Sequence, residues 1–277
     1  MKDSWKLWCL LPLLTILLSG CDKRWSDLNG IREHSSTGNL SITVNGVTFN
    51  MIYVEGGTFD MGVTPEQNDD GKIDDYNAPV HEVTLSGFYI GETEVTQELW
   101  TAVMGENPAV YKYYSYSNNM PVENVSWDDC QEFLDRLSEL LGRTFTLPTE
   151  AQWEYAARGG QKSEGYKYSG SNNVDDVAWI WTNCGVSLRE VATKSPNELG
   201  IYDMSGSVSE WCQDWYVEDY YTNSPQLNPV GPSEGKSRIH RGGSWTTYEW
   251  SARSSYRSCK NPLYIENDTG LRIVLKR

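Results

Sequence analysis

Helix signals stop at residue 160 of this 277-residue chain. Before that point three helices can be read from their caps. Thr96 caps one running through Leu99, Trp100 and Val103, ended by Gly105 and Pro108. Ser126, followed by Asp129, opens an amphipathic helix with Phe133, Leu134, Leu137 and Leu140 or Leu141 on one face, stopped by Gly142. Thr149 and Gln152 make a capping box for a third, continued by Trp153, Ala156 and Ala157 to Gly159-Gly160. Beyond it the chain is rich in Gly, Asn, Ser and Trp, with short strands at most. Earlier, Ser41 to Val44 alternates as a strand, Asn45-Gly46 is a two-residue hairpin turn, and Val47 to Val54 is the return strand. Val80 to Leu85 alternates again, and Asp69-Asp70-Gly71 reads as an exposed loop. A core built this way must be filled partly by loops, and twelve Trp and seventeen Tyr supply the large rings that do so. The pattern predicts one α+β domain with a small irregular sheet, two to three helices and long loops.

The amino terminus sets the compartment. Lys2 and Lys6 precede an apolar run from Leu7 to Leu18, which is too short for a stable membrane span and has the form of a secretion signal. Leu18-Ser19-Gly20-Cys21 resembles a bacterial lipobox, which implies cleavage before Cys21 and lipid attachment to its sulfur. Residues 1–20 are therefore expected to be a signal peptide, 21–40 a lipidated polar tether and 41–277 the domain. Such a protein touches a membrane through its lipid alone, outside the cytoplasm at the cell surface. The net charge of −15 disfavours nucleic acid and anionic lipid as partners. Past the anchor, Cys130, Cys184, Cys212 and Cys259 are widely spaced, which gives zinc no support. Four cysteines allow three disulfide pairings, and buried free thiols fit as well.

Several blocks point to a family. Met51 to Gly62 (MIYVEGGTFDMG), Phe88 to Thr96 (FYIGETEVT), Pro121-Val122 with Val125-Ser126-Trp127, and Leu147 to Arg158 (LPTEAQWEYAAR) come first. Pro196 to Gly206 (PNELGIYDMSG), Glu210-Trp211, Arg241 to Trp245 (RGGSW) and Gly270-Leu271-Arg272 follow in the same order. Together they resemble the formylglycine-generating enzyme (sulfatase-modifying factor) family across residues 47 to 274. The resemblance implies a C-type-lectin-like fold. Trp153, Trp211 and Trp245 within these blocks are read as core.

Family members that make formylglycine hold copper(I) on two cysteines after the Gly-Gly-Ser-aromatic block. Here those positions fall at Thr247 and near Ser251 or Ala252, and a protonated hydroxyl is no ligand for a soft ion. The iron-dependent relatives carry an added His-rich domain, whereas this chain has only His34, His81 and His240. Neither copper nor iron is expected, and no catalytic residue is assigned. Ser205 to Trp211 resembles the family's calcium loop, which implies a structural Ca2+ on carbonyls of Ser205, Gly206 and Val208 and the carboxylate of Glu210.

The carboxyl-terminal stretch resembles the variable region of diversity-generating-retroelement proteins, in which exposed positions face a ligand. The positions implied are Thr246, Thr247, Tyr248, Glu249, Trp250, Ser258, Lys260, Asn261, Leu263, Tyr264 and Asn267. Exposed Tyr and Trp among small polar residues have the make-up of a paratope. The expected function is a surface-exposed module binding a protein or other macromolecule. An enzyme of the family with altered chemistry, or a scaffold lipoprotein of a secretion or motility machine, are the alternatives.

Overall fold

The computed structural model describes residues 31–33, 37–68, 79–113, 117–185 and 187–276. The signal segment, Cys21 and the Asp69-Asp70-Gly71 loop lie outside the described residues. The three helices form where their caps place them: α1 (Gln97–Met104), α2 (Trp127–Leu141) and α3 (Glu150–Ala157). Thr96 accepts a hydrogen bond from the Leu99 amide, and the Ser126/Asp129 and Thr149/Gln152 boxes close reciprocally. On α2, Phe133, Leu134, Leu137 and Leu141 are buried while Leu140 is exposed, which assigns the apolar stripe. Full burial of each such side chain contributes about 1.5–3 kcal/mol. Past residue 160 there are two one-turn helices, α4 (Val174–Val177) and α5 (Tyr220–Asn223), too short to leave a periodic signal.

The hairpin of β2 (Leu40–Val44) and β3 (Val47–Val54) turns on Asn45 and Gly46, with φ of 48° and 86° as a type I′ turn demands. Regular structure begins earlier than the expected tether boundary, because β1 (Ile31–Glu33) pairs antiparallel with β2. Part of the segment read as tether therefore belongs to the sheet, where three residues are too few to show alternation. The sheet is also larger than expected. With β6 (Phe88–Gly91), β7 (Phe145–Thr146) and β12 (Val274–Lys276) it has six strands in the order β1-β2-β3-β6-β12-β7. A ribbon joins β4 (Gly57–Met61) to β5 (His81–Leu85). A four-stranded sheet is built from β8 (Ser209–Trp215), β9 (Arg238–Arg241), β10 (Arg257–Lys260) and β11 (Thr269–Gly270), with β11 parallel to β8.

One core cluster lies under α1 and α2, where Trp100 stacks on Phe133 at 4.9 Å; a second surrounds Trp153. Trp153 and Trp211 are fully buried and Trp245 nearly so, as read. Around Trp153 the interior is charged. Glu150 receives both Arg257 nitrogens at 2.9 and 2.8 Å, and Glu154 binds Arg241 and, at 2.9 Å, Arg158. Of the cysteine readings left open, free thiols is the one found: Cys130, Cys184, Cys212 and Cys259 are all unbridged.

Candidate binding surface at the carboxyl-terminal loops

Strands β9 and β10 hold the 242–256 loop at one end of the four-stranded sheet, and the 261–268 loop leaves β10 at the other end and returns to the first at β11. Buried Trp245 ties them together. Its indole donates to the Asn267 carbonyl at 3.2 Å, Tyr111 meets its ring edge-on at 5.4 Å, and its own carbonyl accepts from the Cys184 thiol at 3.3 Å. Thr246 donates to Asp268 at 2.6 Å, and Ser244 donates to the same carboxylate at 2.9 Å. Burial pushes the Asp268 carboxyl up, but the Lys260 ammonium and the hydroxyls of Thr246, Ser244 and Thr269 together hold it below the usual carboxylate range.

The implied contact positions separate into groups. Tyr248 is 53% exposed, Trp250 37%, Leu263 67% and Tyr264 58%, and Asn261 is exposed too, its carboxamide oxygen accepting from the Leu263 amide. Glu249, Ser258, Lys260 and Asn267 are half-buried. Thr246 and Thr247 are half-buried too, with their hydroxyls engaged. Thr247 both accepts from the Ser244 amide (2.8 Å) and donates to the Ser244 carbonyl (2.9 Å). Their hydroxyls hold the loop in place at the implied surface. Sequence reading missed Trp181, 46% exposed, whose amide donates to the Thr247 carbonyl and so sits beside Tyr248. It also missed Ile265, 54% exposed. A lone Trp far away in the sequence carries no mark of exposure.

The positions of the family's copper thiolates do not fit copper here. Thr247 is pinned as described, the Ser251 hydroxyl donates to the Tyr248 carbonyl at 2.7 Å, and Ala252 is buried. Burial pushes the Cys130 and Cys212 thiols well above their ordinary range, which opposes the thiolate a soft metal needs.

At the implied calcium set the one carboxylate already has protein partners. Both Glu210 oxygens are occupied: Arg272 donates at 2.7 and 3.0 Å and the Trp153 indole at 2.7 Å. The Ser205 hydroxyl donates to the Ala252 carbonyl, and Gly206 is pressed against Trp179, where a Cβ would lie 2.4 Å from the Trp179 carbonyl oxygen. The Val208 amide donates to Glu94 at 2.9 Å. Among the described residues no three His, Cys, Asp or Glu side chains are grouped to hold a metal ion. Nearby, burial and then Asp203 and Glu210 raise the Glu94 carboxyl well above the usual range, and burial raises Asp203 to about 6, which favours the protonated form of each.

Residues 43–277 match the sulfatase-modifying factor enzyme 1-like domain. The chain belongs to that family. The fold class and family read from the sequence both stand. "Chaperone protein LppX" of Paenibacillus barcinonensis is 34% identical, over 88% of this chain and 94% of that protein. A formylglycine-generating enzyme of Streptomyces coelicolor is 36% identical over 157 residues, 50% of this chain and 48% of the enzyme. Among solved structures, Treponema denticola variable protein 1 superposes with a TM-score of 0.78 at 31% identity, covering 86% of this chain and 99% of that one. No helix among the described residues is long and apolar enough to cross a membrane.

Proposed function

We propose that this family member is a lipid-anchored binding module, not a catalyst, and that it presents the 245–268 surface to a macromolecular ligand outside the cytoplasm. One observation carries the reading: Tyr248, Trp250 and Tyr264 are exposed on loops that Trp245 and Asp268 pin to a buried scaffold. Rings on rigid supports give contact area without a large ordering cost. The likeness to a solved structure titled a variable protein supports it. So does the set of hydrogen-bonded hydroxyls where copper thiolates stand in formylglycine-generating enzymes.

Aromatic anchors of this kind cost about 2 kcal/mol or more when truncated. Tyr248→Ala and Trp250→Ala are each expected to weaken binding to the partner at least about tenfold with the melting temperature unchanged, read by titration against immobilised cell-surface proteins. Protein loaded with copper(I) is expected to leave a cysteine peptide unoxidised in oxygenated buffer; turnover there would overturn the reading. Anchoring rests on Cys21. Cys21→Ser is expected to move the protein from the membrane pellet to the soluble fraction, since one thioether-linked lipid is the only proposed attachment.

A further inference from the structure

The exposed rings of the surface share one chemistry. Elsewhere in the fold, indole faces already carry cations: Lys194 lies 4.1 Å over Trp179, and Arg238 lies between Trp127 and Trp215 at 3.8 and 3.5 Å. Trp181, Tyr248 and Trp250, at 46, 53 and 37% exposure, have no cation over them among the described residues. In the same loops, Asp268 accepts from Thr246, two residues before Tyr248, and the Lys260 ammonium is held by Glu266, by Asp268 at 3.4 Å and by Thr269 at 2.7 Å. Two carboxylates thus share one ammonium there, on a chain of net charge −15. An acidic ligand would be repelled, a neutral one would gain nothing from the charge, and a cationic one gains from both rings and carboxylates.

We propose that the occupant of this surface is a basic protein segment whose lysine or arginine side chains lie on Trp181, Tyr248 and Trp250. This rests on the binding reading above and names its partner class. Electrostatic attraction draws the segment in; the ring quadrupoles fix where its cations settle.

The test uses the secreted chain with three fluorescein-labelled probes, octa-arginine, octa-glutamate and a glycine-serine octamer, followed by anisotropy at 150 mM salt. Octa-arginine alone is expected to bind. Trp181→Ala, Tyr248→Ala and Trp250→Ala should each weaken it about threefold to tenfold, while Tyr248→Phe, which keeps the ring, should bind as the parent does. Circular dichroism melts of each variant separate loss of binding from loss of folding. Octa-arginine binding that ignores the ring substitutions would mean diffuse attraction to an acidic protein and would overturn the proposal. So would failure of octa-arginine to bind at all. If an acidic or neutral probe binds in a ring-dependent way, the cationic assignment falls while the binding reading survives.

Discussion

Arg272→Ala is expected to cost the fold about 3–5 kcal/mol at pH 7, read as a drop in the urea midpoint, because it leaves buried carboxylates without their cation. Arg272 is fully buried. Its guanidinium holds Glu210 through three hydrogen bonds, and it also donates to the Gly91 carbonyl at 2.9 Å and the Tyr202 carbonyl at 2.8 Å. Those carbonyls belong to β6 and to the loop before β8, so one side chain joins both sheets. Its removal would also strip the positive charge that partly offsets Glu94 and Asp203. For a domain whose total stability is about 5–15 kcal/mol, such a loss is a large fraction. Arg272→Lys keeps the charge but not the planar fork and should recover only part of it. The penalty should shrink at pH 5, where the freed carboxyls can protonate. A cost below about 1 kcal/mol at pH 7 would show that the pair is not structural in the way described.

Stability is expected to fall as pH rises from about 5 to 8, the reverse of the usual acid-labile profile. Burial raises Glu123 to about 7, Asp214 to about 7 and Asp203 to about 6, and raises Glu94 further. Between the ordinary carboxyl range and pH 7 the folded state therefore binds more protons than the unfolded one, and stability declines with rising pH. His240 acts oppositely. Burial holds it at about 3, so below its ordinary 6.5 the unfolded chain gains a proton that the fold does not. One histidine against four carboxyls leaves the decline dominant. Below pH 4 the sense reverses. In Glu150, burial acts upward but Arg257 and Arg241 outweigh it and lower the carboxyl; Asp268 is lowered too, so both lose their contribution as they protonate. Maximum stability is thus expected near pH 5. Glu123→Gln removes one titrating group and should flatten the urea-midpoint profile by up to about 1.4 kcal/mol per pH unit between 5 and 7. Because Glu210 is held by Arg272 and Trp153, millimolar calcium is expected to leave the profile unchanged. A rise in midpoint with pH across this window would contradict the argument.

What the sequence made legible was whatever has a local cause. The caps at Thr96, Ser126 and Thr149 act within three residues, and the Asn45-Gly46 turn within two, so they could be read directly. The six-stranded sheet was not readable, because it is closed by pairings such as Val274 with Ile90 and Thr146. Strand β1 is too short to alternate. At the candidate surface the run from Tyr248 to Trp250 could be named, yet Thr246 and Thr247 look the same in sequence and are hydrogen-bonded to Asp268 and Ser244. The partners of Glu210 were hidden for a related reason. Glu210 and Arg272 are far apart in sequence, and nothing local says that one neutralises the other.

The strand that locks the large sheet comes from far along the chain, about 130 residues or more after both of its neighbours. Val274–Lys276 slots between β6 and β7, so a growing chain lacks the middle of its main sheet until residue 276 has been added. The same placement sets a rule for change in the loops just upstream. Exposed loop residues such as Tyr248, Trp250 and Tyr264 can be exchanged in frame without touching the closing strand, but a frameshift or stop codon there deletes that strand and Arg272 with it. Sequence change upstream of this strand is therefore compatible with the fold only where it keeps the frame.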